Sequence, residues 1–241
     1  MNAKSGIALV SCLSLLCFVT APAAAVSTTN YSPFYGTEVG DVDFYDIDET
    51  STTDDTPLFG QPVRIGNTLL FYPTAFVSES ADGNPDTTQG KLRMRISTYA
   101  GTFIERIIVT EYGDYLLTGL GTDATQANVG GSLQIMDLTP GHFPTTIQVP
   151  LESVPAAPYA LPGDSGGIFL ASAQITDLLQ YEWTDIYLIF TDTLQTTSEA
   201  GTVSFIQKNM IQGPVALTII PEPGCLSLLV VGLVALKRRR A

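Results

Sequence analysis

Apolar and polar residues alternate in short runs along most of the chain, and this alternation limits the possible folds more than any other feature. The clearest run is residues 91–99, where Leu92, Met94 and Ile96 fall on one face of an extended chain. The alternate positions 91, 93, 95 and 97 are polar, and three of them are basic. A period of two is typical of a β-strand with one buried face, so the sequence predicts strands as the main element.

Further short runs rich in Thr, Val, Ile and Tyr follow the same pattern, with turn residues between them. The predicted strands are residues 68–72, 74–77, 91–99, 103–111, 115–118, 132–136, 145–149, 167–171, 185–190, 201–207 and 215–220. Gly113-Asp114 and Gly130-Gly131 are interpreted as turns, and residues 172–180 as a helix. We therefore expect an all-β fold, a single β-sandwich of jelly-roll-like type.

The chain is acidic, with 11 Lys and Arg against 24 Asp and Glu, a formal charge of −13 and a pI near 4.2. Residues 26–220 alone carry 6 basic and 23 acidic side chains, a charge of −17. This balance argues against nucleic acid as a partner, because a protein that follows phosphates needs a basic surface. All three cysteines lie outside residues 26–220, so an apolar core rather than disulfides must stabilise this body.

The first 25 residues have the three parts of a secretory signal peptide. Lys4 supplies the positive charge, residues 7–19 form the apolar stretch, and Ala23 and Ala25 are the small residues before a cleavage site. We therefore expect export, with signal peptidase as a partner and Val26 as the first mature residue.

The last residues of the chain combine three elements in a fixed order. A helix-breaking motif comes first, then the apolar residues 224–236, then a basic cluster. The motif is Pro221, Glu222 and Pro223, and the basic cluster is Lys237, Arg238, Arg239 and Arg240. The apolar run predicts a short transmembrane helix, and the basic cluster predicts a cytoplasmic end that stops transfer. The run is shorter than the roughly 20 residues of a permanent span, which suits a processing intermediate.

This tail resembles the PEP-CTERM sorting signal, the substrate of exosortases. The resemblance implies cleavage near the motif by an exosortase-type membrane enzyme. It also implies a place at the cell surface or in the extracellular matrix of a Gram-negative bacterium, in association with exopolysaccharide and biofilm matrix. The expected organisation is a signal peptide at 1–25, a β-sandwich at 26–220 and the sorting signal at 221–241. An ordinary tail anchor or a C-terminal core helix is the alternative.

Two cysteines carry alternatives of their own. Cys12 ends a short box that resembles a lipoprotein cleavage site, and Cys225 follows the sorting motif. Lipid or covalent attachment at Cys225 is one interpretation, and a small residue at the membrane edge is the other.

Gly163-Asp164-Ser165-Gly166-Gly167 resembles the nucleophile segment of chymotrypsin-like proteases, in which Ser165 would attack. The only histidine, His142, lies 23 residues upstream in a turn-like context and lacks the sequence expected around the base. We therefore predict that the protein is not an enzyme, with a hydrolase as an alternative if a pocket brings His142 and an acid next to Ser165.

The acidic segment 38–55 is a candidate for calcium, because Asp41 with Asp43, and Asp46 with Asp48, have the spacing of one strand face. The other interpretation is a first strand with solvated acids. No other cofactor is expected.

Aromatic residues leave a second binding function open. Trp183 and the tyrosines would suit a sugar platform, although a lone tryptophan in a sandwich is more often core. Asn30-Tyr31-Ser32 matches the glycosylation triplet. We expect an exported surface or matrix protein, structural or associated with exopolysaccharide. A carbohydrate-binding module is the alternative, which an exposed aromatic strip or an acidic groove on one sheet would favour.

Overall fold

A computed structural model describes residues 26–31, 40–99, 101–208 and 213–222. Within these ranges fifteen strands form two antiparallel sheets. Sheet A contains β1 (Ser27–Asn30), β2 (Val42–Ser51), β6 (Asp86–Thr98), β8 (Gln126–Asp137), β9 (Thr146–Pro150), β11 (Tyr159–Ala160) and β13 (Asp185–Thr197). Sheet B contains β3 (Val63–Ile65), β4 (Thr68–Phe71), β5 (Val77–Ala81), β7 (Ile104–Thr118), β10 (Glu152–Val154), β12 (Gly166–Ile175), β14 (Val203–Lys208) and β15 (Val215–Pro221).

The strand order of sheet A is β1-β2-β6-β13-β8, with β9 and β11 both pairing with β8. In sheet B the order is β10-β12-β7-β15-β4-β3, and β14 pairs with the second half of β7 and with β5. The chain alternates between sheets from β5 to β8 and again from β12 to β14. The predicted all-β fold is confirmed, and the two antiparallel sheets are consistent with a β-sandwich. The jelly-roll type stays a prediction.

The core lies between the sheets and follows the predicted alternation. Leu92, Met94 and Ile96 of β6 are buried, and the residues between them are half-buried or exposed. The inward residues of β7, β12, β13 and β15 belong to the same apolar cluster. Burial of alternate side chains from both sheets is the main favourable contribution to folding.

The two glycine-containing turns predicted within 103–136 are wrong. Gly113 lies inside β7 and Gly131 inside β8, so each strand is longer than predicted. A Cβ on Gly113 would lie 2.2 Å from Phe169 Cζ, and one on Gly131 would lie 2.1 Å from the Thr191 carbonyl oxygen. These glycines therefore permit close packing inside a strand and do not mark its end.

The predicted helix at 172–180 is also wrong. Residues up to Ile175 continue β12, and only a 3₁₀ helix at Leu178–Tyr181 follows. The inward side chains of Ala171, Ala173 and Ile175 are spaced by two residues, and their backbone pairs with β7. The pairing with β7 decides the outcome, because short apolar runs suit a strand or a helix equally well.

The predicted signal-peptide helix at 1–25 and the transmembrane helix at 224–236 lie outside the described residues. Within the described ranges, no helix is both long enough and apolar enough to cross a membrane.

Candidate functional site

The sorting motif begins where the sandwich ends. Pro221 is the last residue of β15 and pairs with Ile104, and the Glu222 amide donates to the Phe103 carbonyl oxygen at 2.8 Å. Val26 is exposed just before β1. The remaining end residues named by the sequence lie outside the described ranges: Cys12, Ala23, Ala25, Pro223, Cys225, Lys237, Arg238, Arg239 and Arg240.

Ser165 and His142 lie at opposite ends of β8. Ser165 follows β11, which pairs with Gln126 and Ala127 at the start of β8. His142 follows the end of β8, where its Nδ1 lies 3.0 Å from Asp137 Oδ2. The twelve residues of β8 span roughly 35–40 Å. The histidine therefore has an acid partner, but the structure does not bring this pair to Ser165.

A bulge in β2 separates the four aspartates proposed for calcium. The register with β6 shifts between Tyr45 and Asp48, and Asp46 has a positive φ of 49°. Asp43 instead lies 3.6 Å from Arg64 Nη1, and Asp48 Oδ1 accepts a 2.7 Å hydrogen bond from Arg93 Nε.

Asp41 accepts a hydrogen bond from Asn67 Nδ2 at 3.2 Å. No group of three or more metal-ligating side chains occurs in the part of the chain that the structure describes. The structure therefore adds no support for the calcium hypothesis.

Glu49 is the acid of this segment with a structural role, and the sequence reasoning passed over it. It is fully buried, and its Oε1 accepts hydrogen bonds from the amides of Leu58 and, at 3.1 Å, Phe59. Its Oε2 accepts a 2.6 Å hydrogen bond from the Tyr31 hydroxyl. Burial and this carboxylate raise the pKa of Tyr31 well above its usual range.

Trp183 is core, as the sequence favoured. It is 2% exposed and stacks on Tyr181, with ring centroids 5.1 Å apart. The triplet at residue 30 is only partly described, since Asn30 ends β1, the buried Tyr31 follows, and Ser32 lies outside the described residues.

The outer face of sheet A carries a row of directly paired tyrosine and arginine side chains. Tyr45 of β2 pairs with Arg95 of β6, and Arg95 pairs with Tyr187 of β13. Residues directly opposite in a sheet share a face, so these three side chains lie side by side. We call Tyr45, Arg95 and Tyr187 the tyrosine–arginine row. Tyr45 is 44% exposed and Tyr187 is half-buried.

Carboxylates hold the arginines of this face. Arg95 Nε donates to Asp185 Oδ1 at 2.9 Å, and its Nη2 contacts the other oxygen. This two-point contact raises the pKa of Arg95. Arg93 lies one row away and pairs with Asp48 at 2.7 Å. Burial raises the pKa of Tyr187, and the nearby positive charge of Arg93 partly offsets that rise.

A third tyrosine, Tyr99, lies beside the row and contacts it through Asp43. Tyr99 is 45% exposed, and its hydroxyl donates to Asp43 Oδ1 at 3.3 Å. The Tyr45 hydroxyl donates to the other oxygen of the same carboxylate at 3.3 Å. Asp43 therefore orients two exposed rings on one face. No single-sequence motif marks this set, but the period-two register of β2, β6 and β13 would place most of it on one face.

Three charged residues lie inside the sandwich and were missed altogether. Lys208, Glu111 and Asp192 have fully buried side chains. Lys208 pairs with Glu111 within sheet B and with Asp192 across to sheet A. Each lies two residues from a buried apolar residue of its own strand and so faces the same side. These neighbours are Ile206 for Lys208, Val109 for Glu111 and Phe190 for Asp192. That phase is a sequence signal that would have placed all three inside.

No family model matches the chain, and no curated protein matches it. Among solved structures it is similar to TmCBM61, determined in complex with β-1,4-galactotriose, at 10% identity over 83% of this chain and 90% of that chain, with a TM-score of 0.25. It is also similar to the enzymatically active domain of bacteriophage CBA120 tailspike protein 4, at 10% identity. That match covers 65% of this chain and 20% of that chain, with a TM-score of 0.18. A structure of infectious bursal disease virus Gx strain matches at 12% identity, covering 81% of this chain and 60% of that chain, with a TM-score of 0.17. Scores this low identify neither a family nor a function.

Proposed function

We propose that the protein is an exported surface or matrix protein whose β-sandwich binds neutral polysaccharide through the outer face of sheet A. The observation that carries the proposal is the tyrosine–arginine row, with Tyr99 beside it. An exposed aromatic strip on one sheet is the feature expected of a carbohydrate-binding module.

The chemistry of the row suits a sugar. An aromatic face packs against the apolar C–H face of a pyranose ring, and planar charged groups hydrogen-bond to its hydroxyls. The Arg95–Asp185 contact and the Asp43 hydrogen bonds fix these groups before a ligand arrives. Such pre-organisation reduces the entropy lost on binding.

The charge of the face favours a neutral ligand. Residues 26–220 carry a formal charge of −17, so an acidic polymer is repelled at long range. The arginines that could oppose this repulsion are already paired, Arg93 with Asp48 and Arg95 with Asp185. An uncharged polysaccharide is not repelled by the negative charge of the protein and does not have to displace an aspartate from either arginine.

Delivery through the C-terminal tail completes the proposal. Among the described residues the last strand, β15, ends at Pro221, the first residue of the sorting motif. An exosortase-type enzyme would then cut near Pro221, Glu222 and Pro223 without removing a strand. Intact mass of the protein from culture supernatant should show a chain that begins near Val26 and ends near this motif. A chain found only in membranes and still ending at Ala241 would contradict the sorting proposal.

Affinity electrophoresis tests the binding proposal, with soluble β-glucan, galactan and xylan cast separately into native gels. We expect at least one polymer to retard the protein. Tyr45→Ala should weaken that retardation about five- to tenfold, on the order of 1 kcal/mol. Tyr72→Ala is the matched control, because Tyr72 is 40% exposed but follows β4 of sheet B. No retardation by any polymer, or equal effects of both variants, would overturn the proposal.

A further inference from the structure

Three ionisable side chains meet in the interior between the sheets. Lys208 Nζ lies 2.5 Å from Glu111 Oε1 and 2.5 Å from Asp192 Oδ2, and all three side chains are fully buried. Outside this set of three, no group in the described part of the chain donates a hydrogen bond to either carboxylate. Buried carboxylates normally collect such donors, so this set calls for an explanation beyond ordinary ion pairing.

The strand pairing delivers these groups from both sheets. Lys208 of β14 pairs with Gly113 of β7, two residues from Glu111 on the same face of sheet B. Asp192 comes from β13 in sheet A, where its direct neighbours are Gly90 and Gly131. The ammonium of one sheet therefore lies against a carboxylate of the other.

Aromatic rings enclose the site next to Gly90, which has no side chain. A Cβ on Gly90 would lie 2.6 Å from the ring of Phe59 and 2.9 Å from that of Phe76. The Phe76 ring also faces Lys208 Nζ, 4.9 Å from its centroid. An apolar, enclosed setting disfavours separated charges and favours neutral forms of the same groups.

A condensation needs Lys208 as a neutral amine, so one proton must first move from Lys208 to a carboxylate. Burial, and then the charge of Asp192, raise the pKa of Glu111 well above its usual range, which favours its protonated form. Burial lowers the pKa of Lys208, but Asp192 and Glu111 outweigh burial and raise it. Transfer of one proton from Lys208 to Asp192 leaves an amine and two carboxylic acids, all neutral.

We propose that Lys208 Nζ and Asp192 Cγ condense to an amide that covalently links β14 of sheet B to β13 of sheet A, with Glu111 carrying the proton. Since a carboxyl C–O bond is about 1.2 Å long, the 2.5 Å contact with Asp192 Oδ2 leaves the carboxyl carbon no more than about 3.7 Å from the nitrogen, close to a near-attack distance.

The reaction balances without any other reactant. The neutral amine attacks Cγ, and a C–N bond forms. Glu111 gives its proton to the carboxyl hydroxyl, the C–O bond breaks and water leaves. The nitrogen returns a proton to Glu111, which ends as it began. The product is one amide, and the chain loses one water, about 18 Da.

This link would do in the sandwich what a disulfide does elsewhere. Residues 26–220 contain no cysteine, so no disulfide can tie the two sheets together. An amide between the sheets restricts the unfolded chain in the same way and is inert to reductants. Such a tie suits a body that works outside the cell.

Amine labelling of the denatured full chain tests the proposal without relying on any variant. Lys91 and Lys208 are the two lysines of residues 26–220, and Lys91 lies on the outer face of sheet A. After unfolding in guanidinium chloride, an amine-reactive reagent should label Lys91 fully and leave Lys208 unlabelled. Trypsin should also fail to cut after Lys208. Equal labelling of both lysines would overturn the proposal.

Mass spectrometry of variants assigns the bond. We expect the wild-type chain to be about 18 Da lighter than its composition requires, and Lys208→Met to show no deficit. Asp192→Asn should lose ammonia, about 17 Da, because an amide can replace the carboxyl as acceptor. Glu111→Gln should lose nothing, because it cannot carry the proton. Loss of ammonia from Glu111→Gln would overturn the assignment to Asp192.

Discussion

Strand β13 carries two aspartates that face opposite sides of sheet A, and each contacts a cation. Asp185 meets Arg95 on the outer face, where the arginine side chain is 50% exposed. Asp192 lies seven residues on, an odd number, so it points inward and meets Lys208, which is fully buried. The two pairs share a strand and a chemistry and differ in their access to water.

That difference sets what each pair contributes. When an exposed ion pair forms, contacts with water are replaced by a contact between two side chains that stay hydrated. Its net contribution to the free energy of unfolding is therefore small. A buried pair has already lost its water, and removal of one partner leaves an uncompensated charge that nothing nearby can solvate. The outer pairs are therefore suited to orient ligand-binding groups, and the inner set is suited to hold the sheets together or to react.

Removal of the buried cation should have the largest effect. Lys208→Met removes the ammonium that contacts Glu111 and Asp192 and also the nitrogen of the proposed amide, so we expect the free energy of unfolding to fall by about 3–5 kcal/mol or more. Urea denaturation followed by tryptophan fluorescence measures this loss, because Trp183 is buried. Lys91→Met, on the outer face, should change stability by less than about 0.5 kcal/mol. Similar losses for the two variants would show that burial does not govern the comparison.

Glu49 extends the comparison to a carboxylate that is buried but fully hydrogen-bonded. Glu49→Ala leaves the amides of Leu58 and Phe59 and the Tyr31 hydroxyl without an acceptor, so we expect a loss of about 2–3 kcal/mol. Asp55→Ala, an exposed acid of the same segment, is the control and should be nearly neutral. The same denaturation experiment compares them. If Glu49→Ala unfolded at the wild-type urea concentration, these hydrogen bonds would be of no consequence for stability.

The pH dependence of stability should report the buried proton. The unfolded chain ionises Glu111 near its usual pKa of 4.5, but burial raises its folded pKa, so the folded state binds more protons above that pH. The contribution is complete below the unfolded pKa and is lost as pH rises toward the folded one, at no more than about 1.4 kcal/mol per pH unit.

In a Lys208→Met background, where no amide can form, Glu111→Gln removes this proton and leaves every other acid in place. Urea denaturation of Lys208→Met and of the double variant between pH 4 and 8 should therefore show a stability difference that changes with pH, with the protein that keeps Glu111 losing more stability as pH rises. A constant difference would mean that Glu111 titrates alike in both states.

The alternating pattern predicted the fold because period two records which face of a strand is buried. The burial of Leu92, Met94 and Ile96 could be predicted from this pattern without any tertiary information. The same reasoning stopped at charged residues, because a lysine or a carboxylate is ordinarily read as solvent-exposed. Lys208 follows Ile206 by two residues, so its phase predicted an inward side chain that its chemistry seemed to exclude.

Other errors came from contacts that lie far apart in the sequence. Gly113 ends no strand because Phe169 occupies the space above it. The bulge at Asp46 shifts the phase of β2 by one residue, which places Asp48 on the same outer face as Asp43. The two aspartates nevertheless lie opposite Arg93 and Ser97 of β6, roughly 13 Å apart along the strand. The candidate sugar-binding face depends on register across three strands, and no local motif encodes that register.

The exposed pair Arg93–Asp48 should have the smallest effect and so sharpen the comparison most. Its side chains are 35% and 22% exposed, and we expect Arg93→Met to cost about 0.2–1 kcal/mol. Because water and salt reach this pair, the cost should shrink toward zero in about 1 M NaCl, where the Debye length is about 3 Å. The cost of Lys208→Met should persist at that salt concentration, because ions do not enter the core. Denaturation of both variants at low and high salt separates the two kinds of pair, and an equal salt response would mean that water reaches Lys208 as freely as it reaches Arg93.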